Sequence, residues 1–510
     1  MDKEKKTKDP PEEREPAESG KSSGMNDPDQ SESAAGGIQE AERDAREHAR
    51  VLNARSRMLA ADEIGPLLLR LSVPAIASQV ITLIYTLVNQ IFIGHIPGYG
   101  SQALAAVGVC RPVLVILGAA AMLVCMGGGP RASICLARGQ KKDAEEILNG
   151  SFTLILILAV IFAVIYVFFA RPILMAIGAS ADTIDYACNY LKIYGLGNLF
   201  VIMTYGLNLF IMSQGFTKNA MFVSIIGAVV NIALDPVFVF VIPWGISGVA
   251  LATMIGQMAS SLYAIHFLRS RYSTLFLDIK ASKINWKLML PALKLGTAPF
   301  IMAVTDGLTT ICYNSSLLLY GGTLAVGAFA VLSNIMSFML LPMTGLTQGA
   351  MFIMSYNYGA GNIGRLKKTF NKVLFWCLFS SLLLWGIVEL APGFFAGIFT
   401  SDQGLIDFTI RAVRIYLMTY GLFGIVMACQ YTLISIDKPM TALFLALFRK
   451  VILIIPLIYI LPMMMADKTA AVLSSQAIAD LAAAAVTYIM FKHTFRNTLN
   501  QLEREKQTDA

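Results

Sequence analysis

Charge and histidine are scarce in this sequence. Only 14% of its 510 residues are Asp, Glu, Lys or Arg, 56% are hydrophobic, and there are four histidines. Soluble domains carry about a quarter of their residues as charged groups, so a soluble multidomain enzyme is excluded. His48, His95, His266 and His493 are scattered and make no metal site. The seven cysteines are dispersed without a CxxC pair, which reads as free thiols used as small apolar residues. No Ser/His/Asp constellation falls near one membrane face. The glycine-rich "GGGPRAS" follows an apolar run and lacks the GK[ST] of a phosphate loop. The first 50 residues contain no apolar stretch, so no cleavable signal peptide is expected.

What the sequence has instead is long apolar runs. Twelve are each long enough to cross a bilayer core as a helix, which takes about 20 residues. They cover roughly 66–94, 103–127, 148–170, 186–212, 219–242, 246–268, 289–319, 323–350, 371–392, 407–434, 440–463 and 471–491. Their continuity argues against a barrel, whose strands are short and alternating. The expected fold is an all-α, polytopic membrane protein with twelve transmembrane helices.

The first 50 residues hold 14 acidic and 9 basic side chains, with Pro, Ser and Gly prominent. Such a composition buries too little apolar surface to offset its ordering entropy. Residues 1–60 therefore read as a largely disordered tail. Within it, 38–59 could form a helix, and the plainer expectation is a solvated segment. Residues 496–510 read as a second tail.

An even number of spans puts both termini on one side, and basic residues choose it. Arg131, Arg138, Lys141 and Lys142 follow span 2, Arg269 to Lys287 follow span 6, and Arg365 to Lys372 follow span 8. The loops "HIPGYGSQ", "PWGIS" and "YGGT" have no Lys or Arg. Both termini are expected in the cytoplasm. The halves also echo each other at an offset near 220 residues: "LRLSVP" (69–74) with "LKLGTAP" (293–299), and "ALAAVGV" (103–109) with "LAVGAFAV" (324–331). Six spans per half keep the same orientation. Two six-helix lobes, 61–280 and 281–495, should be related by a pseudo-two-fold along the membrane normal, with a substrate path between them.

One stretch poses a problem: "NIALDPVFVF" (231–240) buries Asp235 in an apolar run. A charge at the bilayer centre costs about 2.5–3.5 kcal/mol on insertion scales. Such a residue is expected to face a cavity and to have partners. Desolvation disfavours its charged form, which suits it to gaining and losing a proton. Left ionised among neutral oxygens, it could hold Na⁺ instead. Asn231 lies one turn earlier on the same face, and Pro236 favours a kink.

Several segments together resemble the multidrug and toxic compound extrusion (MATE) transporters, nearest the DinF-like branch. They are "NIALDPVFVF…WGISGVALAT", "MSYNYGAGNIGRL", "SIDKP" and "SQAIADLAAA", in this order across residues 60–495. The resemblance implies two six-helix lobes around a V-shaped cleft. It also implies alternating-access export of small organic, often cationic, compounds in exchange for protons or sodium ions, with no other cofactor. The implied setting is the cytoplasmic membrane, as a monomer without nucleic-acid partners. It places a coupling-ion network on spans 1, 4, 5 and 6, which Tyr85, Tyr190, Asn208, Asn231, Asp235 and Thr253 match. Asn89 stands where many relatives have a second acid, so Asp235 would titrate alone, and Thr82 stands where relatives often carry a larger polar residue.

The second half has its own polar residues. Asp306 lies in span 7, Asp480 in span 12, and Arg449 in span 11 could pair with either. With Asp306, residues Met302, Tyr313, Phe338 and Met339 are candidates for a soft, aromatic substrate cleft. A flippase for lipid-linked saccharides is the rival reading. It calls for a larger, more basic cleft.

Overall fold

The computed structural model describes residues 58–508, apart from 178, 180–181, 243, 280–282 and 400–401 and the side chain of residue 101. The expectations for the tail before residue 58 lie outside the described residues. The described chain is helical throughout. Helices α1 (Ile64–Gly94), α2 (Gly100–Ala137), α3 (Lys141–Phe168), α4 (Ile184–Ser213), α5 (Thr217–Pro236) and α6 (Gly245–Arg269) form the first lobe. Helices α7 and α8 are the two arms of Trp286–Gly359, which turns back at Gly322. Gly322 holds φ 66°, ψ −162°, a region that side-chain-bearing residues avoid. Then come α9 (Ile363–Leu390), α10 in two pieces (Gln403–Tyr416 and Phe423–Ser435, bent by 49°), α11 (Pro439–Leu447, a wider turn Phe448–Ile454, then Ile455–Met464) and α12 (Lys468–Thr508).

This accounts for all twelve expected spans. Ten helices are long and apolar enough to cross a membrane, the Trp286–Gly359 helix serves as two, and the bent α10 completes the set. α12 runs on past its last apolar residues to Thr508, so the expected second tail is largely helical. All seven cysteines are free and buried. The wide turns in α5 (Val237–Val241) and α11 (Phe448–Ile454) follow Pro236 and precede Pro456. A proline removes a ladder donor and crowds the carbonyl a turn back, and a widened turn is one way to absorb that.

The lobes meet at one end only of α1, α2, α7 and α8, the face that also holds residue 64 and Thr508. There the helices pack backbone to backbone through glycines. A methyl on Gly127 would strike the Ala292 carbonyl, and one on Gly296 the Leu123 carbonyl. One on Gly349 would lie 2.9 Å from Ser72 Cα, and one on Gly345 2.6 Å from Ile76 Cα. Thus α2 crosses α7 as α8 crosses α1, as the repeat requires. Ser72 Oγ donates to the Leu346 carbonyl at 3.4 Å, and Gln79 Nε2 to Gln348 Oε1 at 3.1 Å. Toward the other face, a methyl added at Gly108 or Gly118 of α2 or at Gly307 of α7 would meet no other helix within 4 Å. This contacting face is the closed face of the protein.

The chain just before α1 also packs at the closed face. Met58 and Leu59 are buried. The Leu59 carbonyl accepts from Asn357 Nδ2 and from an Arg365 guanidinium nitrogen, both at 3.2 Å. The end of the 38–59 segment is therefore docked and not solvated.

Candidate functional site

The buried acid is held by three helices. Asp235 is completely buried at the end of α5, with Asn231 one turn before it. Asn231 Nδ2 lies 3.4 Å from Asp235 Oδ1 and 3.4 Å from Thr253 Oγ1 of α6. Asn89 of α1 completes the group. With its amide nitrogen turned to the acid, it donates to Asp235 Oδ2 at 2.5 Å and to Asn231 Oδ1 at 2.6 Å, while its oxygen accepts from Thr253 at 3.2 Å. An amide presents a donor on one side and an acceptor on the other. Asn89 can thus serve a carboxylate through its nitrogen and a protonated carboxyl through its oxygen. The position that lacks a second acid is filled by a residue that fits both states of the first.

The expected network is only partly assembled. Asn89, Asn231, Asp235 and Thr253 are together. Of the other three, Tyr190 stands near the group, within electrostatic reach of Asp235, and the side chains of Tyr85 and Asn208 turn to another cavity. Tyr85 contributes its backbone carbonyl, 3.2 Å from the Asn89 amide, while its side chain lines a separate cavity of about 170 Å³. Asn208 lines that same cavity with Ser78, Gln79, Thr82 and Gln257, and its Oδ1 is buried without a hydrogen-bond partner. Tyr190 packs its ring against Tyr194, centroids 6.0 Å apart. Asp235 does not face the cavity as expected either. It sits behind Asn89, which is partly exposed.

The charge lies in the second lobe. A cavity of about 370 Å³ is enclosed by α7, α8, α10 and α11 and bounded by Met122 and Met126 of α2. Asp306 opens into it with its side chain 70% exposed. Lys450 Nζ bonds Asp306 Oδ1 at 2.5 Å and the Met302 carbonyl at 2.8 Å. Beside it, Arg449 Nε donates to Asp480 Oδ1 at 2.6 Å and stacks over Phe423, 4.5 Å from the ring centroid. Gln476 Nε2 donates to the other oxygen of Asp480 at 2.9 Å. Tyr313 Oη is 2.8 Å from Ser475 Oγ.

Of the cleft candidates, Asp306, Met302 and Tyr313 line this cavity. Phe338 does not: it is 47% exposed on the outer side of α8, while Met339 is sealed in the core. The soft lining instead comes from Met336, Met427, Phe329, Tyr416 and Tyr431. Lys450 was missed from sequence, although a dibasic pair inside the apolar "LFRKVILII" was the available signal.

Two lobes of six helices, joined through a closed face and each holding a polar cavity, have the paired-repeat layout of a membrane transporter. A MatE family profile matches residues 74–237 and 302–460, one block per lobe, and the chain belongs to that family. Among curated proteins it is 26% identical over 396 residues to the multidrug export protein MepA of Staphylococcus aureus (strain NCTC 8325 / PS 47), covering 77% of this chain and 86% of MepA. It is 26% identical over 358 residues to MepA of Staphylococcus haemolyticus, covering 70% and 78%. A solved structure described as the outward-facing conformation of a multidrug resistance MATE family transporter superposes with TM-score 0.82 at 20% identity, covering 87% of this chain and 98% of that one. A second, a MOP superfamily transporter from Pyrococcus furiosus whose binding pocket is described as of reverse polarity, gives 0.81 at 20% identity, covering 88% and 98%.

Proposed function

We propose that this protein is a secondary active antiporter that exports small organic cations from the cell in exchange for protons or sodium ions. MepA, which aligns with 77% of this chain, is named as a multidrug export protein. Residues 61–280 and 281–495 act as the two moving lobes. The closed face is cytoplasmic, with both termini there, because Arg138, Lys141, Lys142, Lys367, Lys368 and Lys372 gather on it. The conformation is then open to the outside. The protein works in the cytoplasmic membrane as a monomer, and its only metal would be a coupling Na⁺.

The observation that carries this reading is the fully buried Asp235, met by two neutral amides, Asn231 of its own helix and Asn89 of α1, which in turn meet the Thr253 hydroxyl of α6. An intramembrane acid without a basic partner gains stability by binding a cation, whether H⁺ or Na⁺. Binding closes a charge that the lobe otherwise carries unpaired, and a ligand shifts a conformational balance only through such unequal affinity. Displacement of Asn89 on α1 is the route to the acid, so access to Asp235 is tied to the movement of a helix at the lobe boundary. The candidates for substrate are the residues of the second-lobe cavity, Asp306 above all, with Met302 and Tyr313.

The test is efflux from reconstituted vesicles, with proton and sodium gradients imposed separately. Ethidium should be exported under one of the two gradients and retained without either. Export that ignores both gradients would sink the reading.

A further inference from the structure

The repeat places the two cavities at equivalent positions, and their charge differs. The crossings make Ser72 equivalent to Gly296 and Gly127 to Gly349, offsets of 224 and 222, and offsets of 222–224 pair Thr82 with Asp306, Gly227 with Arg449, Ala228 with Lys450, and Gln257 with Asp480. The four first-lobe residues line the first cavity. Asp306, Arg449 and Lys450 line the second, and Asp480 is bound to Arg449. The fold therefore builds this cavity without any of the four charges. Their presence in one lobe alone is a property of that site and not of the architecture.

The two ion pairs are unlike. Arg449–Asp480 is closed: both side chains are buried, at 8% and 2% exposure, Gln476 takes the second oxygen and Phe423 covers the guanidinium. Lys450–Asp306 is half open. The lysine side chain is 7% exposed and the carboxylate 70%. The ammonium approaches Asp306 from within the lobe, while the outer side of the carboxylate faces the cavity. A second cation can reach Asp306 without displacing any apolar wall.

We propose that Lys450 is a resident cation that holds the substrate site of the empty transporter: an organic ammonium or lipophilic cation takes Asp306 from it, and the displaced lysine releases its proton to the cleft. This rests on the export reading above and places part of the coupling in the second lobe. Charge balance supplies the reason. Asp306, Asp480, Arg449 and Lys450 sum to zero. A bound substrate cation adds one positive charge to a small, weakly polar enclosure, and loss of one proton from Lys450 restores neutrality. The charged and titratable groups around Lys450 are Asp306 and Tyr313 on α7, Arg449 on α11, Asp480 on α12, and Tyr416 and Tyr431 on α10. With Asp306 taken by substrate and Asp480 by Arg449, neither acid is left to hold the ammonium, and Arg449 repels it. Burial of an unpaired ammonium is costly. Deprotonation leaves an amine that can still meet the Met302 carbonyl. Lysine can do this and arginine cannot, because a guanidinium keeps its proton in proteins.

The experiment is ethidium binding to the purified full-length protein, read by fluorescence, with proton release measured by calorimetry in buffers of different ionisation heat. Wild type should release close to one proton per ethidium bound. Lys450→Arg should bind and release essentially none. Lys450→Met, which removes the competitor, should bind about tenfold more tightly, with no release. Asp235→Asn should lose any proton the first lobe gives up and keep the one from Lys450, which separates the two sources. Equal release by Lys450→Arg and wild type, or loss of release in Asp235→Asn, would overturn the proposal while leaving export standing. A wild-type protein that binds neither ethidium nor tetraphenylphosphonium would overturn both.

Discussion

Arg131 of α2 donates to the carboxylate of Asp437, in the turn between α10 and α11, at 3.0 Å. The bond joins the first lobe to the second at the closed face. Asp437 makes it from an unusual backbone: at φ 59° it is the one non-glycine residue with positive φ among the described residues. Its repeat mate is Gly215, at φ 83°. The two turns are alike, with Phe216 N bonding the Ile211 carbonyl at 3.3 Å and Lys438 N the Leu433 carbonyl at 2.9 Å. Glycine takes this conformation freely, whereas another residue gives up about 1–2 kcal/mol. The second lobe accepts that strain and places a carboxylate where the first lobe has none.

Replacing Asp437 by Gly should therefore leave folding stability within about 1 kcal/mol, since relief of strain offsets loss of a partly exposed pair. It should nevertheless loosen closure. Spin labels at the exposed Lys142 and Lys367, one on each lobe, should show a longer-distance population in the variant. An unchanged distance distribution would mean that Arg131–Asp437 does not hold the face shut. Burial pushes the Asp437 carboxyl above the usual carboxylate range, against the opposing pull of Arg131. The closed state then binds a proton more tightly than an opened face that exposes the group to water. By linkage, this contribution to closure is full below the ordinary carboxylate value near 4 and fades as pH rises through the raised value. The long-distance population in wild type should grow over that window, and in Asp437→Gly it should not.

Asp235→Asn should abolish ion-driven efflux, by more than tenfold, with expression and thermal stability preserved. The substitution is isosteric, and Asn89 can turn its oxygen to the new amide nitrogen, so the packing of α1, α5 and α6 survives. What is lost is the only titrating group of that cluster. Gradient-driven ethidium export by the variant at the wild-type rate would contradict the assignment.

Much of this was legible in the sequence. Spans were set by hydrophobic runs that a bilayer requires, so all twelve were located, although the helices run past the apolar limits, α2 to Ala137 where 127 was expected and α12 to Thr508 where 491 was. The rarity of charge in those runs singled out Asp235, Asp306, Arg449 and Asp480. What the sequence hid was direction. In a membrane bundle lipid-facing and core-facing residues are equally apolar, so the 3.6-residue period no longer marks an inner face. Phe338 and Met339 are adjacent, and neither lines the cavity. Asn208 and Tyr85 share a helix bundle with Asp235, yet line a cavity that Asp235 does not reach. Lys450 escaped because consecutive residues on a regular helix diverge by about 100°, so a neighbour of Arg449 was not expected to share its cavity. The wide turn Phe448–Ile454 alters that register.

Asn89→Ala should uncover the acid. It removes the donor to Asp235 Oδ2 and leaves the carboxylate with the long contact to Asn231. A lost partner for a buried polar group costs about 1–3 kcal/mol. Thermal unfolding in detergent should shift down accordingly, and carbodiimide should label Asp235 faster than in wild type. Equal labelling rates would show that Asn89 does not guard the carboxylate.

The glycine crossings give the last prediction, and symmetry makes it a paired one. Gly127 meets Ala292 and Gly296 where α2 crosses α7, and Gly349 meets Ser72 where α8 crosses α1. A methyl at Gly127 has only rigid backbone to strike, and one at Gly349 meets the Ser72 backbone and a movable hydroxyl. Overpacking of this kind costs about 1–3 kcal/mol, and here the lobes can escape it by parting. Both Gly127→Ala and Gly349→Ala should therefore raise the open-face population seen by the same spin labels, and Gly127→Ala should raise it more. The contact lies between the lobes and not inside either, so unfolding temperature should move less than the conformational balance. Two variants that unfolded early without changing the distances would mean that these crossings belong to the core of the fold and not to its gate.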